Sequence, residues 1–309
     1  MKMKSKIVFF STSSRPLKVL EKLNLEFDIR LIVTKSDKQV GRNKNLVPNE
    51  IKKFALTHNI PLFEIDKFDL NTKAKLEIAL NEANPDLALT IDFGFIVPKS
   101  LFNIPKNGIV NTHFSLLPKY RGASAVQFAI LNDEKEFGIT YHLIDANLDT
   151  GDIIYQSKFP LDENLTSGEA YEYLFNKCSE EINQILTKYL SKELLPTPQD
   201  HSKAVYTYST SNPKHTFIFK EDAVLKSEDT ERSVFRKIKA YNPWPLLRVE
   251  IGELQKFKQF SNLKPKKAEK IFLKINQANF SNNKLEITEV TIENGKRLNI
   301  KDFISGYFN

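Results

Sequence analysis

The sequence predicts an α/β domain built on an open parallel sheet with helices on both faces, followed by a smaller domain of short β-strands. Three observations lead to this class. Strand and helix patterns alternate through residues 1–192, a polar segment with prolines follows, and the remainder carries mostly short strand patterns. The chain has 309 residues, a length typical of two domains.

These patterns give a domain map. We expect a Rossmann-like domain over residues 1–192, a linker over 193–204, and a small β-barrel of the oligonucleotide-binding kind over 205–309. In the first domain, apolar runs predict strands at 6–10, 29–33, 86–90, 109–112, 139–144 and 153–159. Helical spacing of apolar residues predicts helices at 16–25, 49–58, 70–84, 123–132 and 167–190, with Asn49 as an N-cap. In the second domain, we expect strands at 216–219, 246–251, 271–275, 284–291 and 298–300, and a helix at 230–240.

Net charge is unevenly distributed along the chain. Residues 1–200 hold 25 basic and 26 acidic side chains, a net charge of −1, whereas residues 201–309 hold 20 and 12, a net charge of +8. This asymmetry favours a polyanionic partner for the C-terminal part. A lysine-rich genome would also raise the basic count, since there are 37 Lys against 8 Arg.

Several function classes are excluded by what the sequence lacks. The single cysteine, Cys178, rules out a disulfide framework and multi-cysteine metal sites. The zinc-protease, dinucleotide and nucleotide-phosphate motifs are missing, so we expect no metal and no nucleotide cofactor. No apolar run reaches the roughly 18 residues that a membrane span needs, and residues 7–10 are too short for a signal peptide. We therefore expect a cytoplasmic protein with no membrane partner.

Glycines and polar side chains concentrate in one stretch. Five of the ten glycines fall between Gly94 and Gly151, and glycine serves where backbone turns tightly or approaches a ligand closely. Within this stretch a predicted strand ends in an Asn-x-His sequence, Asn111 and His113. Because side chains alternate along a strand, both lie on one face. The carboxyl end of a parallel strand is where ligands bind in open α/β sheets.

An aspartate on a later glycine-bearing loop, Asp149, can reach this imidazole. The stretch has no serine or cysteine in a nucleophile context, so the substrate would have to supply the nucleophile. Asn111 and His113 would then polarise a carbonyl, while Asp149 would orient His113 and assist proton removal from an attacking amine. Spacing alone equally favours a simpler interpretation, in which Asn111 and His113 only cap the edge of the sheet.

Longer motifs decide between these interpretations. They are Asn111-x-His113-x-Ser115-Leu116-Leu117-Pro118-x-Tyr120-Arg121-Gly122, Gly138-Ile139-Thr140 and Leu148-Asp149-Thr150-Gly151. In order and spacing they resemble the formyltetrahydrofolate-dependent formyltransferase family. Segments 33–48, 84–98, 237–245 and 295–306 resemble the members of this family that formylate aminoacylated initiator tRNA, so the resemblance extends over nearly the whole chain.

The resemblance implies catalytic and folate-binding residues. The family's catalytic asparagine, histidine and aspartate fall on Asn111, His113 and Asp149. Its tetrahydrofolate contacts fall on Ser115, Leu116, Leu117 and Pro118, and the pteridine pocket is lined by Phe93, Gly94, Phe95, Ile96 and Val97 together with loop 147–151. The implied formyl donor is 10-formyltetrahydrofolate, and no metal is needed.

The resemblance also implies a macromolecular substrate, the methionyl amine of charged initiator tRNA. The loop around Arg42 resembles the element that engages the aminoacyl end of the tRNA, with Lys38 and Lys44 as further phosphate contacts. Lys237 and Lys239 are candidate contacts in the second domain. We expect the protein to act as a monomer.

Some positions depart from the family's pattern. Ser11 and Ser13 replace a glycine and a proline after the first strand, and Ala125 replaces another proline. His142 lies in a stretch that also resembles glycinamide-ribonucleotide and sugar formyltransferases, and we interpret it as structural or supporting.

Two alternative functions therefore remain. An amino-sugar nucleotide as acceptor is disfavoured by the basic second domain and by loop 33–48. A tRNA-binding protein with a decayed active site is disfavoured by the intact catalytic trio.

Overall fold

The computed structural model describes residues 3–40, 45–209, 211–212, 214–266, 271–293 and 295–309. The chain divides into two compact units. The first comprises Met1–Arg121, Gly138–Lys158 and Glu172–Ala204, and the second comprises Gly122–Phe137, Phe159–Tyr171 and Val205–Asn309. The second unit thus takes in two segments from within residues 1–192, and its last segment begins at the predicted start of the second domain. The organisation into domains at 1–192 and 205–309 with a linker at 193–204 stays a prediction.

Strands and helices alternate through the first 190 residues. The strands are β1 (Lys6–Phe10), β2 (Asp28–Lys35), β3 (Lys38–Val40), β4 (Asn45–Val47), β5 (Leu62–Ile65), β6 (Leu87–Ile91), β7 (Ile109–His113), β8 (Glu136–Leu143) and β9 (Ile153–Pro160). The helices are α1 (Leu17–Glu26), α2 (Glu50–Thr57), α3 (Leu70–Ala83), α4 (Ala125–Leu131) and α5 (Ser167–Leu190). The predicted N-cap of α2 is confirmed, because the side chain of Asn49 accepts the N–H of Lys52.

The main sheet has seven strands in the order β5-β2-β1-β6-β7-β8-β9. The first five strands in this order, β5, β2, β1, β6 and β7, pair in parallel with their neighbours. Strand β8 runs antiparallel to β7. The chain adds strands on one side of β1 and then crosses to the other side at β6, so the order reverses between these two strands. Such a switch point leaves a crevice at the carboxyl ends of the strands.

Burial of the central strands explains why their sequences are almost wholly apolar. Ile7, Val8, Phe9 and Phe10 of β1 are fully buried, and every residue of β6 is buried as well. Parallel strands covered by helices on both faces require this continuous apolar pattern. The sheet is therefore a rigid support for the side chains at its carboxyl edge.

The second unit contains a four-stranded antiparallel sheet in the order β10-β11-β12-β13. Its elements are α6 (Glu231–Ala240), β10 (Leu247–Glu250), β11 (Phe272–Ser281), β12 (Lys284–Ile292), β13 (Arg297–Asn299) and α7 (Ile300–Tyr307). Arg232 and Arg236 of α6 both pair with Asp133, which follows α4. These ion pairs fasten α6 to the segment around α4 within this unit. The predicted fold class, a Rossmann-like α/β part followed by a small antiparallel β part, is confirmed.

One predicted strand, at residues 216–219, is wrong. Two of its backbone N–H groups are bound by side chains instead of by a neighbouring strand. Ile218 donates to Ser124 Oγ at 3.0 Å, and Phe219 donates to the buried carboxylate of Asp222 at 2.8 Å. Side chains that capture backbone donors in this way compete directly with a β-ladder.

The patterns also missed four of the elements named above: the short paired strands β3 and β4, the edge strand β5 and the helix α7. The signal for α7 was present, since Asn299 is an N-cap that accepts the N–H of Asp302, and apolar residues follow at helical spacing.

Among the described residues, no helix is long and apolar enough to cross a membrane.

Candidate active site

The three predicted catalytic side chains lie together at the carboxyl end of β7. Asn111 and His113 belong to β7, and Asp149 comes from the loop between β8 and β9. His113 Nδ1 lies 3.7 Å from Asp149 Oδ2, and Asn111 Nδ2 lies 3.5 Å from Asp149 Oδ1. His113 is 8 % exposed, and the carboxylate of Asp149 is also largely buried. The structure therefore places an amide, an imidazole and a carboxylate in one poorly solvated cluster.

The ring of His113 is held by a backbone carbonyl. Its Nε2 lies 2.9 Å from the carbonyl oxygen of Tyr120, which can only accept a hydrogen bond. This contact assigns the Nε2–H form, so Nδ1 is the nitrogen that faces Asp149 and can exchange a proton. Tyr120 itself has a positive φ of 60°, so the turn after β7 is shaped to present this carbonyl.

Two effects act in opposite directions on the proton affinity of His113. Burial is the larger effect and lowers the pKa below its usual 6.5, because an imidazolium is poorly solvated there. The carboxylate of Asp149 opposes this shift by favouring the charged ring, while the neighbouring His142 adds to the lowering. The resting imidazole is therefore neutral near pH 7 and can accept a proton beside a carboxylate.

The loop that carries Asp149 is fixed by a residue that sequence reasoning missed. The side-chain nitrogen of Gln199 donates to the carbonyl oxygens of Asp149 and Gly151 at 2.9 and 2.8 Å. Asp149 has a φ of 51°, and a Cβ on Gly151 would lie 1.9 Å from the carbonyl oxygen of Leu143. A glycine is thus required for the loop to pass this close to β8. No sequence signal linked Gln199 to this loop, since it lies 50 residues away.

Asn111 has two partners besides Asp149. Its Oδ1 accepts the hydroxyl of Thr90 at 2.7 Å, and its Nδ2 lies 3.1 Å from Nε2 of His142. His142 is 1 % exposed and also lies 3.6 Å from Asp149 Oδ1. The structure therefore places His142, which the sequence indicated only as supporting, directly against the cluster.

The predicted folate loop after β7 is tightly bonded to β8 and β9. Thr140 donates its hydroxyl to the carbonyl oxygen of Ser115 at 2.6 Å, and Gln156 donates to the carbonyl oxygen of Leu117 at 2.9 Å. Ser115 and Leu117 are buried, and the hydroxyl of Ser115 donates to Lys119 O at 2.6 Å. Leu116 and Pro118 are half-buried, so they provide the accessible apolar surface of this loop.

The second predicted folate segment, 93–97, follows β6 at the same edge of the sheet. Phe93 and Phe95 are half-buried with ring centroids 5.6 Å apart, Val97 is buried, and Ile96 is 87 % exposed. The preceding Asp92 is held by a bidentate pair with Arg15 at 2.7 and 2.8 Å. Aromatic and aliphatic surface at this position can cover one face of a flat ring.

In the described parts of the chain, no group of three His, Cys, Asp or Glu side chains is arranged to hold a metal.

The structure gives less support to the predicted tRNA contacts than to the predicted catalytic residues. Arg42 and Lys44 lie outside the described residues, and Lys38 begins β3, which pairs antiparallel with β4. Lys237 is paired with Asp229 at 2.5 Å, and Lys239 lies over the ring of Phe235 with its nitrogen 5.2 Å from the centroid. Burial lowers the pKa of Lys239, and Glu169 opposes the shift. Both α6 lysines are thus engaged within their own unit, and their role in tRNA binding stays a prediction.

Comparison with known proteins agrees with this chemistry. A family model described as "Formyl transferase" matches residues 5–186. Among curated relatives, the methionyl-tRNA formyltransferase of Kosmotoga olearia is 36 % identical over 81 % of this chain and 77 % of that protein. That of Staphylococcus epidermidis is 32 % identical over 98 % of this chain and 96 % of that protein.

Solved structures share the fold. The methionyl-tRNA formyltransferase from Clostridium thermocellum superposes with a TM-score of 0.56 at 19 % identity, covering 94 % of this chain and 99 % of that one. The sugar 3N-formyl transferase WlaRD superposes with a TM-score of 0.59 at 20 % identity, covering 96 % and 98 %. At these identities the likeness concerns the fold and does not separate the two acceptor classes.

The opposing effects on His113 give a testable prediction. We expect NMR titration of the His113 ring to give a pKa below 6.5, and Asp149→Asn to lower it further by removing the charge that favours the imidazolium. The unfolded chain takes up this proton near pH 6.5 while the folded chain does not, so the contribution of His113 to the free energy of unfolding falls as pH drops through 6.5.

The matched control is Asp145→Asn. Asp145 lies on the same loop region but bonds to Thr150 and Asn147, so this change should leave the pKa of His113 in place. A rise in the His113 pKa on Asp149→Asn would contradict the assignment of Asp149 as the opposing charge.

Proposed function

This chain belongs to the formyl transferase family, and we propose that it transfers the formyl group of 10-formyltetrahydrofolate to the amino group of methionyl-tRNA. The observation that carries the proposal is the combination of near-full-length relatives named methionyl-tRNA formyltransferase with the cluster of Asn111, His113 and Asp149. The proposed reaction proceeds in the cytoplasm, where charged tRNA is made and used, and the chain acts as a monomer on initiator tRNA.

The proposed chemistry is direct acyl transfer between two bound substrates. The methionyl nitrogen forms a bond to the formyl carbon, and the bond from that carbon to N10 of the folate breaks as the tetrahedral intermediate collapses. One proton leaves the amine and one proton is delivered to N10, so the reaction balances without an external acid or base. No metal or redox step is required.

The residues take separate roles in this proposal. Asn111 donates from Nδ2 to the developing oxyanion, a contribution of the kind that backbone and amide donors make in acyl transfer. His113 accepts the amine proton at Nδ1 and returns it to the leaving nitrogen. Asp149 stabilises the imidazolium that exists between these two proton transfers, which offsets the cost of charging a buried ring.

Apolar surface supports the folate part of the proposal. Leu116 and Pro118 on one loop, and Phe93, Phe95 and Ile96 on another, follow adjacent strands at the carboxyl edge of the sheet. A pteridine is flat and mostly apolar on its faces, so such surfaces suit it. The segment 93–97 and residues 115–118 therefore remain the proposed folate contacts.

The basic excess of residues 201–309 supports a polyanionic acceptor. Lys258 and Lys264 are exposed, whereas Lys237 is paired with a largely buried aspartate. We therefore propose that exposed lysines such as these, together with Lys239, Lys38, Arg42 and Lys44, contact tRNA phosphates.

A second acceptor class is kept because of one observation. His142 stands within a motif that resembles sugar and glycinamide-ribonucleotide formyltransferases, and it lies against the catalytic cluster. An amino-sugar nucleotide is therefore the alternative acceptor.

The first experiment compares acceptors side by side with 10-formyltetrahydrofolate as donor. We expect methionyl initiator tRNA to be formylated, methionyl elongator tRNA to react poorly, and an amino-sugar nucleotide not to react. Mass spectrometry of the released aminoacyl ester and of the nucleotide identifies the product. Formylation of the sugar nucleotide alone would replace the proposed function by its alternative.

The second experiment tests the catalytic roles. His113→Ala and Asp149→Ala should each lower kcat by roughly 10²–10⁴-fold, and Asn111→Ala by roughly 10²–10³-fold. Filter binding should show nearly unchanged tRNA affinity, because none of the three is a phosphate contact. His58→Ala, at an exposed histidine after α2, is the control and should retain full turnover. Near-normal turnover of the His113 and Asp149 variants would reject the mechanism.

The third experiment tests the phosphate contacts. Lys239→Gln, Lys258→Gln and Lys264→Gln should each weaken tRNA binding. A plot of the logarithm of the association constant against the logarithm of the salt concentration has a negative slope, and each lost contact should make that slope shallower by about 0.9. Lys67→Gln, at an exposed lysine of the first unit, serves as the control and should keep the wild-type slope. If all three slopes equal the wild-type slope, these lysines do not bind the tRNA backbone.

A further inference from the structure

We propose that Thr90 and His142 are positioning residues that lock the amide of Asn111 in one orientation, with its nitrogen toward the reacting carbonyl. The inference rests on the proposed function, because it assigns a use to that orientation. An asparagine amide can rotate by 180° about its last bond and then presents an oxygen where a nitrogen is needed. An oxygen at that position would repel the oxyanion instead of stabilising it.

The orientation follows first from the tautomer of His142. Its Nδ1 lies 2.8 Å from the carbonyl oxygen of Leu143, and this oxygen can only accept. Nδ1 therefore carries the hydrogen, which leaves a lone pair on Nε2 of the neutral ring. That lone pair accepts an N–H of Asn111, whose Nδ2 lies 3.1 Å away.

The other end of the amide gives the same answer. The hydroxyl of Thr90 donates to Asn111 Oδ1 at 2.7 Å, and its alternative acceptor, the carbonyl oxygen of Val110, is farther away at 3.4 Å. A rotated amide would set Oδ1 against the Nε2 lone pair of His142. Thr90 would then have to accept from Nδ2 and turn its own hydrogen toward the more distant carbonyl oxygen of Val110, so both contacts favour the same orientation.

Burial makes these two contacts hard to replace. Thr90 is 2 % exposed and His142 is 1 % exposed, so solvent has little access to either partner of the amide. A buried polar group without a partner is unfavourable, and water cannot easily replace a partner that is removed here. Loss of Thr90 or His142 should therefore allow the Asn111 amide to rotate.

The orientation leaves one N–H of Asn111 for the substrate. The first N–H is taken by His142, and the second faces Asp149 Oδ1 across a long distance of 3.5 Å. A contact at that distance is weak, so a carbonyl oxygen of the donor can displace it at small cost. His142 and Thr90 thus act through Asn111 and do not need to touch either substrate.

The test pairs two substitutions at each position. His142→Leu removes the acceptor and should lower kcat by about 10–100-fold with little change in KM for the tRNA, a smaller loss than the roughly 10²–10³-fold expected for removing the donor Asn111 itself. His142→Gln keeps an acceptor oxygen near the position of Nε2 and should recover most of the loss. Thr90→Val and Thr90→Ser should behave in the same way. A loss confined to KM, or no recovery by Gln and Ser, would overturn the proposal.

His58 offers a matched control. Its Nδ1 also contacts a backbone carbonyl, that of Phe54 at 2.9 Å, but it lies far along the chain from the cluster. His58→Leu and His58→Gln should leave kcat unchanged. Equal losses at both histidines would indicate a general effect of removing the ring and would count against positioning.

A double-mutant cycle separates positioning from direct action. In an Asn111→Ala background, His142→Leu should have no further effect on kcat, because the residue through which it acts is gone. Multiplicative losses would show that His142 acts by itself and would overturn the inference.

A spectroscopic measurement keeps the inference testable even if a variant does not fold. ¹⁵N NMR of ring-labelled histidine in the wild-type protein should show His142 as the Nδ1–H tautomer, and the Nε2–H tautomer would refute the proposal. Failure of the proposed function would appear differently, as absence of wild-type turnover with methionyl-tRNA while the tautomer stays as expected.

Discussion

The largely buried carboxylate of Asp149 is the constraint on which the site depends. It is the shared neighbour of Asn111, His113 and His142, at distances of 3.5 to 3.7 Å. A buried charge is tolerated only where polar groups surround it, and its loop is fixed by Gln199 through two backbone carbonyls. The same charge partly restores the proton affinity that burial takes from His113. The proposed proton transfers at His113 and the arrangement of the polar side chains around it therefore both depend on this one carboxylate.

Backbone carbonyls set the orientation of both imidazoles. In each ring one nitrogen contacts a carbonyl oxygen, that of Tyr120 for His113 and that of Leu143 for His142. In each ring the other nitrogen faces the cluster. The two rings nevertheless use opposite nitrogens, Nε2 in His113 and Nδ1 in His142. The carbonyl that anchors His113 belongs to Tyr120, a turn residue with a positive φ, and the carbonyl that anchors His142 belongs to Leu143, the last residue of β8.

The sequence predicted the parts of the molecule that depend on local pattern. Buried parallel strands and capped helices were recognised because each has a periodic or capping signal. The catalytic cluster was predicted because its residues lie in one dense motif region. Gln199 was not, since its role is a long-range bond to the backbone of Asp149 and Gly151 and no short motif records it. The strand predicted at 216–219 was wrong for a similar reason, because Ser124 and Asp222 capture its backbone donors from elsewhere in the chain.

The net charge of a segment can likewise be counted from the sequence, but its attraction for a polyanion depends on which of its cations form ion pairs in the folded chain. The net charge of +8 over residues 201–309 counts Lys237, Arg232 and Arg236 at full value. In the structure, these three cations pair with Asp229 and Asp133. Asp133 lies outside residues 201–309, so part of the basic excess is already neutralised by an acidic residue from the near-neutral part of the sequence. Attraction of a polyanion depends on the cations that stay hydrated and exposed. The proposed attraction of tRNA therefore depends on the exposed lysines of residues 201–309 more than on the total charge of this part of the chain.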